Sequence, residues 1–393
     1  MASTWLRVVL VACVSSGSHA LQAPLRAIFS DIDGTLVHYA RDFEKHGVTL
    51  LEADEVACTA TVQGPTGEQR RCRLIPSSTM GPACVSERTI ELVDALRANG
   101  VLFGVVTAAR KSTMLQRWPL LPACDFRVCE SGSRMWVGDE PDHDFAARFE
   151  HICGPIWEGE QEGAHARDEP LWQFFRLLQH DVAGLSLDAR SYSGMFRASS
   201  RGDAHVDAAL RAAIAADLPE GVSWSTNLGK FDFYPTLAGK GHAVAYLQEL
   251  LAVSSASSAC LFDDDNDLPM AEQCASHFLP GLTSASVEAA AASHPSWNVA
   301  RSCGQGVFAI EEGLEALLRR ARAERYQQVA AAAVAARLRR VLKTRLHHRR
   351  SKARLERNRA AEEAAAFDAH AHAALAERVE TVLPLEVRRE KQG

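Results

Sequence analysis

The chain has 393 residues, 47% hydrophobic and 23% charged, with a formal net charge of −6 at pH 7. Those proportions exclude a disordered body, and the length exceeds one average domain, so a core and at least one further unit are expected. Charge is segregated by region: residues 319–359 carry 15 lysines and arginines against Glu324 and Glu356, a local +13 that leaves −19 on the rest of the chain.

At the N-terminus, Met1 to Arg7 is short with one positive charge, Val8 to Val14 is apolar, and Ser18-His19-Ala20 offers a small-x-small cleavage site. This is the pattern of a targeting or signal leader over residues 1–20, with an ordinary buried strand as the alternative. The apolar run is too short to span a bilayer. No asparagine lies in an Asn-x-Ser/Thr acceptor, and the 10 cysteines are scattered without Cys-x-x-Cys or zinc spacing. A leader without disulfide or glycan logic suits an organelle reached through the secretory route. Ala20-Leu21-Gln22-Ala23-Pro24 looks like the cleavage region of plastid leaders, so a plastid or endomembrane destination is expected, with secretion and the cytoplasm left open.

Leu25 to Phe29 reads as a buried strand, followed at once by Ser30-Asp31-Ile32-Asp33-Gly34-Thr35-Leu36-Val37. Two carboxylates one residue apart thus sit where a strand ends, the edge at which open parallel sheets bind ligands. The pair suits phosphoryl transfer: Asp31 as a nucleophile forming an aspartyl phosphate and Asp33 as general acid and base. A polar turn is the plain alternative. Residues 41–80 then read as a hairpin-bearing insertion beside this edge, turning at Gly64-Pro65-Thr66-Gly67.

Ser86 caps a predicted helix with Thr89, Ile90, Leu92, Val93 and Leu96 on its apolar face and Asn99-Gly100 as its stop, feeding a strand over Val101 to Val106. This βαβ rhythm implies a parallel sheet. The strand ends at Thr107-Ala108-Ala109, where a hydroxyl and backbone N–H groups can meet a phosphoryl oxygen; Thr107 as a simple helix cap is the alternative. Cys124 to Trp136 reads as strand, polar turn and strand. An α/β stretch follows, with a helix bearing Leu171, Phe174, Phe175 and Leu178, a strand at Ser191 to Ala198, a helix near Val206 to Ala216, and a strand pair around Val222 to Tyr234.

Gly239-Lys240-Gly241-His242 opens another helix, and a lysine held there can neutralise an aspartyl phosphate, although a lone lysine is more often a solvated surface group. Ser258 to Phe262 is the next strand, delivering Asp263-Asp264-Asp265-Asn266-Asp267. Four carboxylates in five residues call for a cation, and Mg²⁺ is the natural partner; the ligand spacing of an EF-hand, with its distant Glu, is absent. A strand at Ser276 to Gly281 and a closing helix end the core near Leu318. Beyond it, Val334, Leu338, Val341, Leu342 and Leu346 recur at helical spacing among arginines. That is either a solvated or coiled helix or a basic amphipathic one for an acidic protein or membrane surface. Nucleic acid has no supporting motif.

Asp31-Ile32-Asp33-Gly34-Thr35, Thr107, Lys240-Gly241 after Phe231-Asp232-Phe233-Tyr234-Pro235, and Asp263 to Met270 resemble, in order, the four motifs of the haloacid dehalogenase-like (HAD) superfamily. The layout is similar to its subfamily IIB, whose members insert an α/β cap after the third core strand. The resemblance covers about Leu25 to Leu318. It implies an α/β fold: a Rossmann-like core with a parallel sheet (21–136, with the 41–80 insertion, and 235–318), a cap at 137–234, and a basic helical tail at 319–393. It also implies a Mg²⁺-dependent phosphatase, with Asp31, Asp33, Thr107 and Lys240 catalytic and Asp31, Asp33, Asp263 and Asp267 at the metal. Phe262 stands where relatives have glycine. Ala108-Ala109-Arg110 replaces the Gly-Arg that follows Thr in many of them, so Thr107 is carried over and Arg110 is not. Sucrose-phosphate and mannosylglycerate-phosphate phosphatases are similar in layout, so a small phosphate ester, a sugar phosphate, is the expected substrate, with Ala108, Arg190, Arg197, Asn227, Lys230 and Asn266 as candidate contacts. A sugar phosphomutase using the same carboxylates and a non-enzymatic scaffold acting through the basic tail are the alternatives.

Overall fold

The computed structural model describes residues 23–75, 80–157, 166–227, 229–301 and 306–382; the leader expected over residues 1–20 lies outside them. No helix among the described residues is long and apolar enough to cross a membrane.

Six parallel strands form the centre, in the spatial order Phe126–Cys129, Leu102–Val106, Ala27–Ser30, Ser258–Leu261, Ser276–Leu279, Asn298–Val299. Two antiparallel strands, Arg134–Val137 and Glu140–Pro141, extend one edge. The middle strands are buried along their length, as expected of parallel strands covered on both faces. Ser30 pairs with Val105 on one side and Leu261 on the other, so Asp31, Thr107 and Asp263 leave the sheet at one edge. The chain departs to opposite sides of Ala27–Ser30, which makes that edge a topological switch point. The capped helix is observed at Glu87–Ala98: Ser86 Oγ accepts from the Thr89 N–H at 2.9 Å, and Thr89, Ile90, Leu92, Val93 and Leu96 are buried.

The cap sheet is antiparallel, in the order Ser186–Asp188, Phe196–Ser199, Lys230–Pro235, Val222–Asn227, with helices Pro170–Asp181 and Ala204–Asp217. The strand expected from Ser191 begins instead at Phe196. Ser191 takes a left-handed φ of 60°, and the backbone N–H groups of Ser193 and Gly194 turn to Glu130 of the core. Phe196 stacks on Phe233 with ring centroids 4.8 Å apart, and Phe174 and Phe175 of the first cap helix close around them.

The 41–80 insertion is more than a hairpin. It builds most of a five-stranded antiparallel sheet, in the order His38–Tyr39, Ala83–Ser86, Gln69–Ile75, Thr59–Gln63, Thr49–Asp54. Phe43, Val48, Val62 and Leu74 pack against Val307 and Phe308, at the start of a helix spanning Val307–Val382. Arg70 and Ser86 both reach Glu311 on that helix, at 2.9 and 2.6 Å.

The body of the protein runs to Arg325, past the expected limit at Leu318. The cause is packing and hydrogen bonding: Ala321 is buried, Arg320 donates to the Ala23 carbonyl (2.6 Å) and Ser276 Oγ (2.9 Å), and Glu324 accepts from the Leu25 N–H (2.8 Å). Residues Tyr326 to Val382 form a separate helical unit, on which Val334, Leu338, Val341, Leu342 and Leu346 are exposed. A chain ended after Arg325 should therefore melt within about 2 °C of the full chain. One ended after Leu318 should lose about 2 kcal/mol or more, from hydrogen bonds to charged groups and a buried alanine. Urea or thermal unfolding distinguishes them, and equal stability of the two truncations would return the boundary to Leu318.

Candidate active site

Asp31 follows the first core strand, its N–H donating to the Leu261 carbonyl at 2.9 Å. The chain then turns tightly, with Gly34 at φ +92° and a position where a Cβ would lie 2.1 Å from Asp263 Oδ2. Only glycine meets both conditions. Thr35 Oγ1 donates to Asp263 Oδ1 at 2.7 Å, so the first and last motifs are hydrogen-bonded to each other.

Lys240 is buried at the first position of the helix Lys240–Leu250. Its Nζ donates to Asp31 Oδ1 at 2.8 Å and Asp267 Oδ1 at 2.6 Å. A Cβ on Gly241 would lie 2.7 Å from the Pro269 carbonyl oxygen, so the glycine lets the helix start close against the acidic loop. Lys240 is thus no solvated surface lysine; its charge is committed to two carboxylates.

Asp31, Asp263 and Asp267 are all buried, with ligand oxygens within 4.8 Å of one another. Burial pushes Asp31 up to about 8, with Lys240 opposing the rise and Asp267 and Asp33 adding to it. Burial, and then the charge of Asp31, raises Asp263 well above the usual carboxylate range; burial also raises Asp267, against the pull of Lys240. One ammonium faces three carboxylates, so ionising all three in this dry site would leave negative charge uncompensated. The donor set, all carboxylate oxygen, fits a hard divalent cation such as Mg²⁺.

Asp33 stands apart from the set expected at the metal, because its carboxylate is drawn to other partners. Its Oδ1 accepts from the Tyr39 hydroxyl at 2.5 Å and from Arg117 Nη1 at 2.7 Å. The metal-type cluster therefore contains three of the four expected carboxylates.

Thr107 is buried at its strand end and its Oγ1 accepts from the Ala109 N–H at 3.1 Å; among the described residues its hydroxyl proton has no acceptor. A cavity of about 70 Å³ is lined by Asp31, Asp33, Thr107, Ala108 and Ala109 of the core, Asp264 and Asn266 of the acidic loop, Arg197 and Asn227 of the cap, and Met80. Arg197 binds the buried carboxylate of Asp232 through two nitrogens, at 2.5 and 2.6 Å, and Asn227 donates to the same carboxylate at 3.1 Å. Two expected contacts do not line the cavity. Arg190 has an 85% exposed side chain beside Asp188, and Lys230 stays exposed at the start of its strand.

Several residues near the site were not singled out by motif: Tyr39, Met80, Arg117, and the groups that dock the cap. Glu130 accepts from the Ser193 and Gly194 N–H groups at 2.9 and 3.0 Å and from Arg134 Nε at 2.7 Å. Thr226 Oγ1 reaches Asp265 at 3.2 Å. Arg110, which the motif comparison did not carry over, pairs with Asp188 at 2.8 Å and lies over the Tyr192 ring.

No protein-family model matches this sequence, and no curated protein matches it. Among solved structures, those that match include two sugar-phosphate phosphatases and a haloacid dehalogenase-like hydrolase. The sucrose-phosphatase from Synechocystis sp. PCC6803, in complex with sucrose and phosphate, is 15% identical over 75% of this chain and 98% of that one, with a TM-score of 0.49. The trehalose-6-phosphate phosphatase of Aspergillus fumigatus is 13% identical over 75% of this chain and 93% of that one, with a TM-score of 0.41. A haloacid dehalogenase-like hydrolase from Bacillus subtilis is 15% identical over 76% and 94%, with a TM-score of 0.42.

The raised carboxylates set a pH dependence. Folded Asp31 keeps its proton up to about 8, whereas the unfolded side chain releases it near 3.8. The folded state binds more protons across that window, so the cation-free fold should lose stability as pH rises through it. A divalent cation would bind the deprotonated cluster, so the gain in melting temperature from Mg²⁺ should be small near pH 5 and grow toward pH 8. The gain should vanish in Asp263→Asn. Melting curves with Mg²⁺ and with chelator test this, and a pH-independent gain would place the cation elsewhere.

Proposed function

We propose that the chain is a Mg²⁺-dependent, HAD-type phosphatase that hydrolyses a small phosphorylated metabolite, a sugar phosphate, through an aspartyl phosphate on Asp31. The observation that carries this reading is the Lys240 ammonium held between Asp31 and Asp267, with Thr107 and Asp33 on the same cavity as Asp31. A carboxylate, a fixed cation, a free hydroxyl proton and a second acid around one small space are the parts phosphoryl transfer needs.

An Asp31 oxygen attacks phosphorus and forms the P–O bond of the acyl phosphate as the ester P–O bond breaks, and Asp33 gives its proton to the leaving oxygen. Water then attacks phosphorus and passes a proton to Asp33; the Asp31–phosphorus bond breaks and phosphate leaves. Lys240 and the Thr107 hydroxyl stabilise charge on the equatorial oxygens throughout. A divalent cation held by Asp31, Asp263 and Asp267 would supply further charge neutralisation and favour the ionised form of Asp31. Arg197 and Asn227, facing the cavity from the cap, are the contacts we assign to the leaving group, with Ala108 and Asn266 on the core side. The cavity of about 70 Å³ is far below the ~300 Å³ of small ligand pockets. Admitting a sugar therefore requires this cavity to widen. An organellar destination, and an acidic protein or membrane surface as partner for the basic helix, belong to the same proposal.

Protein lacking residues 1–20 should release phosphate from some member of a panel of sugar and other metabolite phosphates, without a bisphosphate activator. Chelator should suppress release, and Asp31→Asn should lower it by about 10³-fold or more, the loss of the covalent route. A folded protein that releases phosphate from none of them overturns the reading. Transfer that requires a bisphosphate would assign a mutase.

A further inference from the structure

Asp33 is held in an unusual way for an acid that must exchange a proton. Arg117, the last residue of the helix Lys111–Arg117, is 3% exposed. Its Nη1 donates to Asp33 Oδ1 at 2.7 Å and its Nη2 to the Tyr39 hydroxyl oxygen at 3.0 Å, while that hydroxyl donates to Asp33 Oδ1 at 2.5 Å. Tyr39 ends the short strand His38–Tyr39, at the root of the inserted sheet. Asp33 is the only carboxylate paired with Arg117 among the described residues. Asp33 Oδ2 has no partner among them, and Asp33 lines the cavity with Asp31.

A proton on Oδ1 would face the Arg117 guanidinium, which has no acceptor, and would disrupt the hydrogen bonds that Oδ1 accepts from Arg117 and Tyr39. A proton on Asp33 therefore belongs on Oδ2. We propose that Arg117 and Tyr39 are positioning residues that occupy Asp33 Oδ1 and thereby assign Oδ2 to proton transfer with the leaving oxygen and the attacking water. Burial, and then the charge of Asp33, hold the Tyr39 phenol well above its ordinary range, so it remains a donor. The assignment rests on the phosphatase reading and sharpens it: hydrolysis should depend on Arg117 and Tyr39 most where the leaving oxygen needs a proton most.

The test uses the full chain with Mg²⁺ and a series of aryl and alkyl phosphates from p-nitrophenyl phosphate, whose leaving group departs unaided, to phenyl and simple alkyl phosphates. The quantity read is kcat/KM, which covers steps up to departure of the leaving group. Tyr39→Phe should lower it about tenfold or more on the poor leaving groups and less than about threefold on p-nitrophenyl phosphate, as expected of a misplaced general acid. Arg117→Met should show the same selective loss, with Arg117→Lys recovering part of it, and Asp33→Asn marks its full extent. Equal losses on all esters in variants that melt like the wild type overturn the positioning role and leave the phosphatase intact. A wild-type protein that hydrolyses no ester in the series or the metabolite panel overturns the phosphatase reading itself, and the positioning role with it.

Discussion

The structure depends on one buried contact, the Lys240 ammonium between Asp31 and Asp267. Three carboxylates crowd into the edge of the sheet, and without a fixed cation among them burial would favour their neutral forms. Lys240 can serve because its helix starts at the site and Gly241 admits the carbonyl of Pro269. Strand register does the rest: Ala27–Ser30 sits between Leu102–Val106 and Ser258–Leu261, so residues more than two hundred positions apart meet within hydrogen-bonding distance.

Around this contact, buried charges are paired between separate elements. Arg117 reaches Asp33 across two motifs, Arg197 binds Asp232 across two cap strands, and Glu130 joins Arg134 to the cap loop at Ser193-Gly194. Such pairs contribute little net stability once desolvation is counted, but removing one partner strands a buried charge. Their effect here is geometric. They hold Asp33 to the helix Lys111–Arg117, two cap strands to each other, and the cap loop to Glu130 of the core.

The inserted sheet shows how function and stability share residues. Its far strands pack on Val307 and Phe308, and its root presents Tyr39 to Asp33. Met80, where the insertion returns, lines the cavity. An insertion that reads as hairpin-bearing and beside the site is thereby tied both to the C-terminal helix and to the cavity.

Local pattern was enough to place the core strands, the Ser86 cap and the cap helices, because each rests on periodicity or on residues adjacent in the chain; the roles expected of Asp31, Thr107, Lys240, Asp263 and Asp267 drew also on the resemblance of their motifs to a family. Long-range contact decided what local pattern could not. The strand at Phe196 starts late because Glu130 captures the preceding loop, and the body continues to Arg325 because Arg320 and Glu324 meet the N-terminal segment. Arg190 and Lys230 looked as suitable for binding as Arg197, yet only the fold turns one of them toward the cavity. Asp33 is the clearest case. Its place beside Asp31 was legible, but its partners, Tyr39 and Arg117, are brought to it by separate elements, and a carboxylate's hydrogen bonds are set by what the fold places within about 3 Å of it.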